Sequence, residues 1–111
     1  MLFRSNVALL VGVTYGLPGI DLDLKNVKEI ASHPGYRFDT HELWEDEGNV
    51  DNVAQNLTDL SASVTDGGTL FFYFSGHGSK EGLLMDDRLM KIGEIRAAIE
   101  KGRQEIGRAH V

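Results

Sequence analysis

The chain has 111 residues, 41% of them apolar, with no cysteine and a formal net charge of −6. That size and mixture fit one globular domain or part of one, without the bias of disorder or collagen. Its 11 Lys and Arg are scattered and leave no basic patch for nucleic acid, and no apolar run approaches the roughly 20 residues of a bilayer span. Neither nucleic acid nor a membrane is an expected partner, and the expected location is the cytoplasm.

In chain order, residues 7–13 form a continuous apolar run that ends at the turn-rich Tyr15-Gly-Leu-Pro-Gly19, which reads as a buried first strand. From Asp21 onward, Leu24, Val27, Ile30 and Ala31 recur at helical spacing until His33-Pro34-Gly35 stops the pattern. Residues 38–44 alternate imperfectly, interrupted by Asp39, His41 and Glu42, and predict a second strand near a sheet edge. After an acidic loop, Val50, Val53, Leu57, Leu60 and Val64 mark one stripe of a second helix, and Asp66-Gly67-Gly68 turns the chain.

The tract from Thr69 to Gly78 follows, an aromatic and aliphatic run that ends on His77 between Gly76 and Gly78. It reads as a buried parallel strand. A histidine at its carboxyl end, with glycines letting the backbone turn and approach a ligand, occupies the place where open α/β sheets bind and react. His77 is therefore the candidate general base. Beyond it, residues 82–87 suggest a short strand, and Ile92, Ile95 and Ile99 line a third helix. The order βαβαβ predicts a mainly parallel sheet, and three helices need both of its faces. The expected fold is an α/β three-layer sandwich.

Several ordered blocks carry a family resemblance. Residues 8–13 resemble the first strand of caspase-like cysteine peptidases, Leu17-Pro-Gly-Ile-Asp-Leu-Asp23 resembles their L-x-G-x-x-x-D element, Phe71-Phe-Tyr-Phe-Ser-Gly-His-Gly78 looks like the histidine element, and residues 83–86 resemble the segment that follows it in bacterial members. A lone S-G-H-G would be weak; four blocks in order cover nearly all of residues 6–104. The resemblance implies an incomplete caspase-like fold and a Cys-His dyad in which His77 is the base. It implies that Gly78 offers its N–H to the oxyanion, and that Asp23 and Ser75 lie on the substrate side. Asp23 matches the acid of the metacaspase specificity pocket, which implies cleavage after Arg or Lys. Animal caspases, which cut after Asp, also have an acid there but add an Arg two residues before the preceding Gly. That position is Leu17 here, so a basic preference is expected.

Each residue also has a plainer reading. His77 could cap a strand structurally, Asp23 could serve the helix dipole alongside a pocket role, and Phe71 to Phe74 suit a core better than a binding platform. Asp86 and Asp87 offer oxygens of the kind calcium takes, but a solvated turn is the favoured reading and no cofactor is expected. His33 and His41 read as surface residues. A flavodoxin-like ligand-binding domain is disfavoured because Gly12, Gly16 and Gly19 do not give G-x-G-x-x-G.

The dyad lacks its nucleophile, which in caspase-type chains falls about 50 residues after the histidine, whereas 34 residues follow His77 here. The terminal residues 106–111 correspond to ATC GGA AGA GCA CAC GTC, part of a widely used sequencing-library adapter, and residues 1–5 match GTG CTC TTC CGA TCT of its reverse strand. Residues 6–104 are accordingly expected to be the N-terminal part of a caspase-like peptidase domain. Residues 1–5 and 105–111 are expected to be adapter-derived scars. The expected function is that of a cysteine endopeptidase fragment, inactive as written and acting as a family on protein or peptide substrates. The fragment is also expected to self-associate through its open strand. The alternative is a noncatalytic caspase-like interaction module.

Overall fold

The computed structural model describes residues 6–64 and 67–109. The reading of residues 1–5, and of 110 and 111, as adapter-derived lies outside them, as does Asp66 of the expected turn. The elements in order are β1 (Asn6–Gly12), α1 (Ile20–Ala31), β2 (Asp39–Trp44), α2 (Val50–Ser63), β3 (Thr69–Ser75), β4 (Gly78–Ser79), β5 (Gly82–Leu84), β6 (Leu89–Lys91) and α3 (Ile92–Ala109). The third helix runs unbroken across the junction expected at Gln104.

β1, β2 and β3 form a parallel sheet in the order β2-β1-β3, with Leu9 opposite His41 on one side and Phe72 on the other. The chain crosses in one direction from β1 to β2 and returns past β1 to β3. Two crossovers of the same hand must then lie on opposite faces, and they do. Ala8 and Leu10 pack with Ile20 and Leu24 of α1, whereas Leu9 and Val11 pack with Val53 and Leu57 of α2 and Ile95 and Ala98 of α3. The alternation of side chains along β1 thus feeds two cores, and the α/β three-layer sandwich stands as expected.

Two expectations need correction. β3 is not a fully buried strand: among the described residues it is an edge of its sheet, and Phe71 remains 36% exposed. Leu70, Phe72 and Phe74 pack into the core on the α2 and α3 side. Phe71 and Tyr73 turn to the α1 side, where one helix covers three strands incompletely, and they line an apolar groove of about 310 Å³ with Val27, Ile30, Tyr36 and Phe38. Ile92 is the second correction. It opens α3 at 46% exposure instead of facing the core, while Ile95 and Ala98 are buried. The expected short strand is β5, the middle of an antiparallel sheet β4-β5-β6.

Candidate functional site

The strand order reverses between β1 and β3, and the crevice outside the carboxyl ends of such a pair is where open α/β sheets bind ligands. β1 delivers Val13, Thr14 and Tyr15 to that crevice, and β3 delivers Ser75, Gly76 and His77. The two exits are stitched together by the Val13 N–H, which donates to the Ser75 carbonyl at 3.1 Å. Gly76 is needed for this approach. A Cβ there would stand 2.6 Å from the Val13 carbonyl oxygen, closer than any side-chain carbon tolerates. The freedom expected of Gly78 is not used: its φ is not left-handed, and a Cβ would meet Leu83 at an ordinary 3.5 Å.

His77 is half-buried, and its Nε2 lies 3.4 Å from the Tyr15 carbonyl oxygen. A carbonyl can only accept, so in the neutral ring this contact is made by Nε2–H and leaves the Nδ1 lone pair free. The distance is long for a hydrogen bond. The rings of Tyr15 and His77 meet edge to face, with centroids 6.5 Å apart.

The Gly78 N–H is also free of its ladder, by parity. Leu84 N–H donates to the His77 carbonyl at 2.9 Å, and Gly78 sits opposite Leu83 in the next position of the antiparallel register. Antiparallel pairs alternate between bonded and non-bonded. Gly78 and Leu83 are the non-bonded pair, so the Gly78 N–H points away from β5.

Asp23 and Ser75 are brought together from distant parts of the chain. The buried Ser75 hydroxyl donates to Asp23 Oδ2 at 2.8 Å. Asp23 stands in the first turn of α1, whose N-cap Gly19 supplies no side-chain cap, so its carboxylate also complements the positive helix terminus. That is the plainer reading of Asp23, and it leaves the carboxylate exposed at the crevice end of the sheet.

Asp86 and Asp87 lie in an exposed turn, as expected, and that turn is tied into the fold. Asp87 Oδ1 accepts from the Val50 N–H at 2.9 Å and caps α2, while the Asp86 N–H donates to the Gly48 carbonyl at 2.9 Å. Among the described residues no three His, Asp or Glu gather as metal ligands. His33 is exposed, and His41 contacts Asp39 at 3.3 Å without joining the site.

Sequence reasoning missed two residues at this end of the sheet. Glu45 accepts from the Thr14 N–H at 2.7 Å and from the Thr14 hydroxyl at 3.0 Å, and the Tyr15 hydroxyl donates to the Asp86 carbonyl. Tyr15 and Glu45 both have left-handed backbones, with φ of 40° and 55°. Neither residue type announces that conformation, which costs of order 1–3 kcal/mol and clusters at functional sites. The only signal was Tyr15's place in a turn-rich segment.

A parallel sheet between helices, with a histidine at its switch point, defines the class of structure. The family model for the caspase domain matches residues 5–104, and the chain belongs to that peptidase family. Neither the curated proteins nor the solved structures give a match. No helix among the described residues is long and apolar enough to cross a membrane.

Proposed function

We propose that the chain is the histidine-bearing part of a cysteine endopeptidase of metacaspase-like type, with the thiol supplied by a segment outside this sequence. His77 Nδ1 takes the thiol proton, and the thiolate adds to the scissile carbonyl. The oxyanion is held by the Gly78 N–H together with the N–H of the cysteine, a class of contact worth about 2.7–4 kcal/mol in peptidases. Collapse expels the amine, which takes its proton from the His77 imidazolium. Water then attacks the thioester with His77 again as base, releasing the acid and restoring the thiol. Asp23, steadied by Ser75, receives the guanidinium or ammonium of the residue before the scissile bond through charge-assisted hydrogen bonds. The substrates are proteins or peptides, the setting is cytoplasmic, and nucleic acid and membranes play no part.

The observation that carries this reading is the position of His77, beside the exit of β1 with Nε2 3.4 Å from the Tyr15 carbonyl oxygen. The chain alone should not cleave fluorogenic peptides ending in Arg, Lys or Asp. A protein extended through a downstream Asp-x-Cys should cleave after Arg or Lys and lose that activity in His77→Ala. Turnover by the chain alone that His77→Ala abolishes would remove the need for an external cysteine. A gene whose natural stop codon follows Gln104 would instead favour the noncatalytic interaction module.

A further inference from the structure

Tyr15 is an unusual residue to find where it is. Its side chain is half exposed, so packing alone does not immobilise it, yet its backbone is left-handed at φ 40°, a region that bulky residues rarely enter. The conformation is imposed from both sides. Before it, both the N–H and the hydroxyl of Thr14 donate to the Glu45 carboxylate, at 2.7 and 3.0 Å. Beyond it, the Tyr15 hydroxyl donates to the Asp86 carbonyl.

Asp86 is itself a fixed partner. Its N–H is bonded to Gly48, its neighbour Asp87 caps the first turn of α2 at Val50, and the preceding Met85 is fully buried and donates its N–H to the Arg88 carbonyl at 3.0 Å. The hydroxyl of Tyr15 is therefore tied to a platform anchored in the core. Its ring packs edge-on against His77, and its carbonyl faces His77 Nε2.

We infer that Tyr15 is a positioning residue for His77: its hydroxyl, latched to the Asp86 carbonyl, keeps its own carbonyl on Nε2 and so keeps Nδ1 as the unprotonated nitrogen. This deepens the peptidase reading and rests on His77 being the base, but it makes a claim about the ring that needs no nucleophile. The Asp86 turn thereby acts on the histidine through one side chain.

The test is long-range ¹H–¹⁵N correlation of the full chain with ¹⁵N-labelled histidine, at a pH where the ring is neutral, with His77→Ala identifying the signals. Wild type should show Nε2–H as the main tautomer. Tyr15→Phe keeps the carbonyl and removes only the latch; it should move the tautomer ratio toward Nδ1–H by about two- to tenfold, the range that one net hydrogen bond supplies. Replacing Tyr15 by 3-fluorotyrosine retains the hydroxyl and should preserve the wild-type ratio, as should Tyr36→Phe, a change at an exposed tyrosine outside this cluster. A ratio unchanged in Tyr15→Phe, or a wild-type ring mainly protonated on Nδ1, would overturn the inference. The peptidase reading would stand or fall separately, on turnover by the extended protein.

Discussion

The Ser75 hydroxyl donates to Asp23 Oδ2 across 2.8 Å and 52 positions of sequence, and the two partners are unequally exposed. Ser75 is only 7% exposed, whereas Asp23 is open to water. Removing the acceptor and removing the donor should therefore differ. Asp23→Ala strands a buried hydroxyl, at about 1–3 kcal/mol, while Ser75→Ala leaves a carboxylate that water can serve and should cost no more than about 1 kcal/mol. Urea unfolding of both single variants and the double variant checks this. Strict additivity would mean that the pair does not interact in solution, and equal single losses would mean that the Ser75 hydroxyl is not left without a partner when Asp23 is removed. In an extended, active protein the same Asp23→Ala should lower kcat/KM on basic substrates far more than it lowers stability.

Two glycines of α3 should respond oppositely to alanine. At Gly102 a Cβ would press on the backbone of α2, with Ala62 N at 2.9 Å and Ser61 Cβ at 2.8 Å. The helices are this close because Thr58 and Ser61 of α2 donate their hydroxyls to the Ala98 and Ile99 carbonyls at 2.9 and 2.8 Å. Helix propensity favours alanine by about 1 kcal/mol, but forcing apart a packed backbone costs about 1–3 kcal/mol, so Gly102→Ala should lower Tm. At Gly93 a Cβ meets nothing within 4 Å, and Gly93→Ala should be neutral or stabilising by up to about 1 kcal/mol. A gain at Gly102 would show that α2 and α3 do not approach this closely.

The parts of the fold legible in the sequence are those with a period. The apolar run of β1 and the stripe from Val50 through Leu57 to Leu60 had one solution each, because a strand buried on both faces and an amphipathic helix leave distinct patterns. β4 and β6 had none, since the two residues of β4 are too few to alternate visibly and the three of β6 run straight into the helical period of α3 at Ile92. Ile92 fits the helical period yet stands at the helix start, where the core does not reach. At the site, His77 and Asp23 were marked by their motifs, but the bond from Ser75 to Asp23 and the latch from Tyr15 to Asp86 depend on how distant turns meet. Tertiary placement alone creates them.

The start of α3 should register pH. Glu94 accepts from Arg88 through both carboxylate oxygens, at 3.0 and 3.2 Å, and from the Lys91 N–H at 2.8 Å. The Arg88 hydrogen bonds, then the backbone bond, hold its carboxyl below the ordinary value. A carboxyl lowered in the folded state contributes stability that is complete above its unfolded pKa and is lost as pH falls through the folded one. Glu94→Gln should therefore remove part of the decline of Tm on the acid side and leave a flatter profile there. The site is exposed, so the change should be small and weaken with added salt. An acid limb identical to wild type would exclude Glu94 as a contributor.

The outer edge of β3 has no strand partner among the described residues, and beside it lies the apolar groove formed by Phe71, Tyr73, Phe38 and Tyr36. An edge rich in large apolar residues offers unpaired N–H and C=O groups and nonpolar surface to a second chain at once. The isolated chain is therefore expected to self-associate with a dependence on concentration. Charge on an edge strand opposes such pairing. Phe71 is already 36% exposed, so Phe71→Lys should shift the population toward monomer while sacrificing only part of one side chain's burial. Leu9→Lys, which places charge at a fully buried position of the central strand, should instead unfold the domain. Sedimentation velocity across a concentration series, with far-UV circular dichroism to follow folding, separates the two effects. A wild-type chain that stays monomeric at all concentrations, with sharp cooperative unfolding, would show that the β3 edge needs no cover and would favour a self-sufficient interaction module over part of a larger peptidase domain.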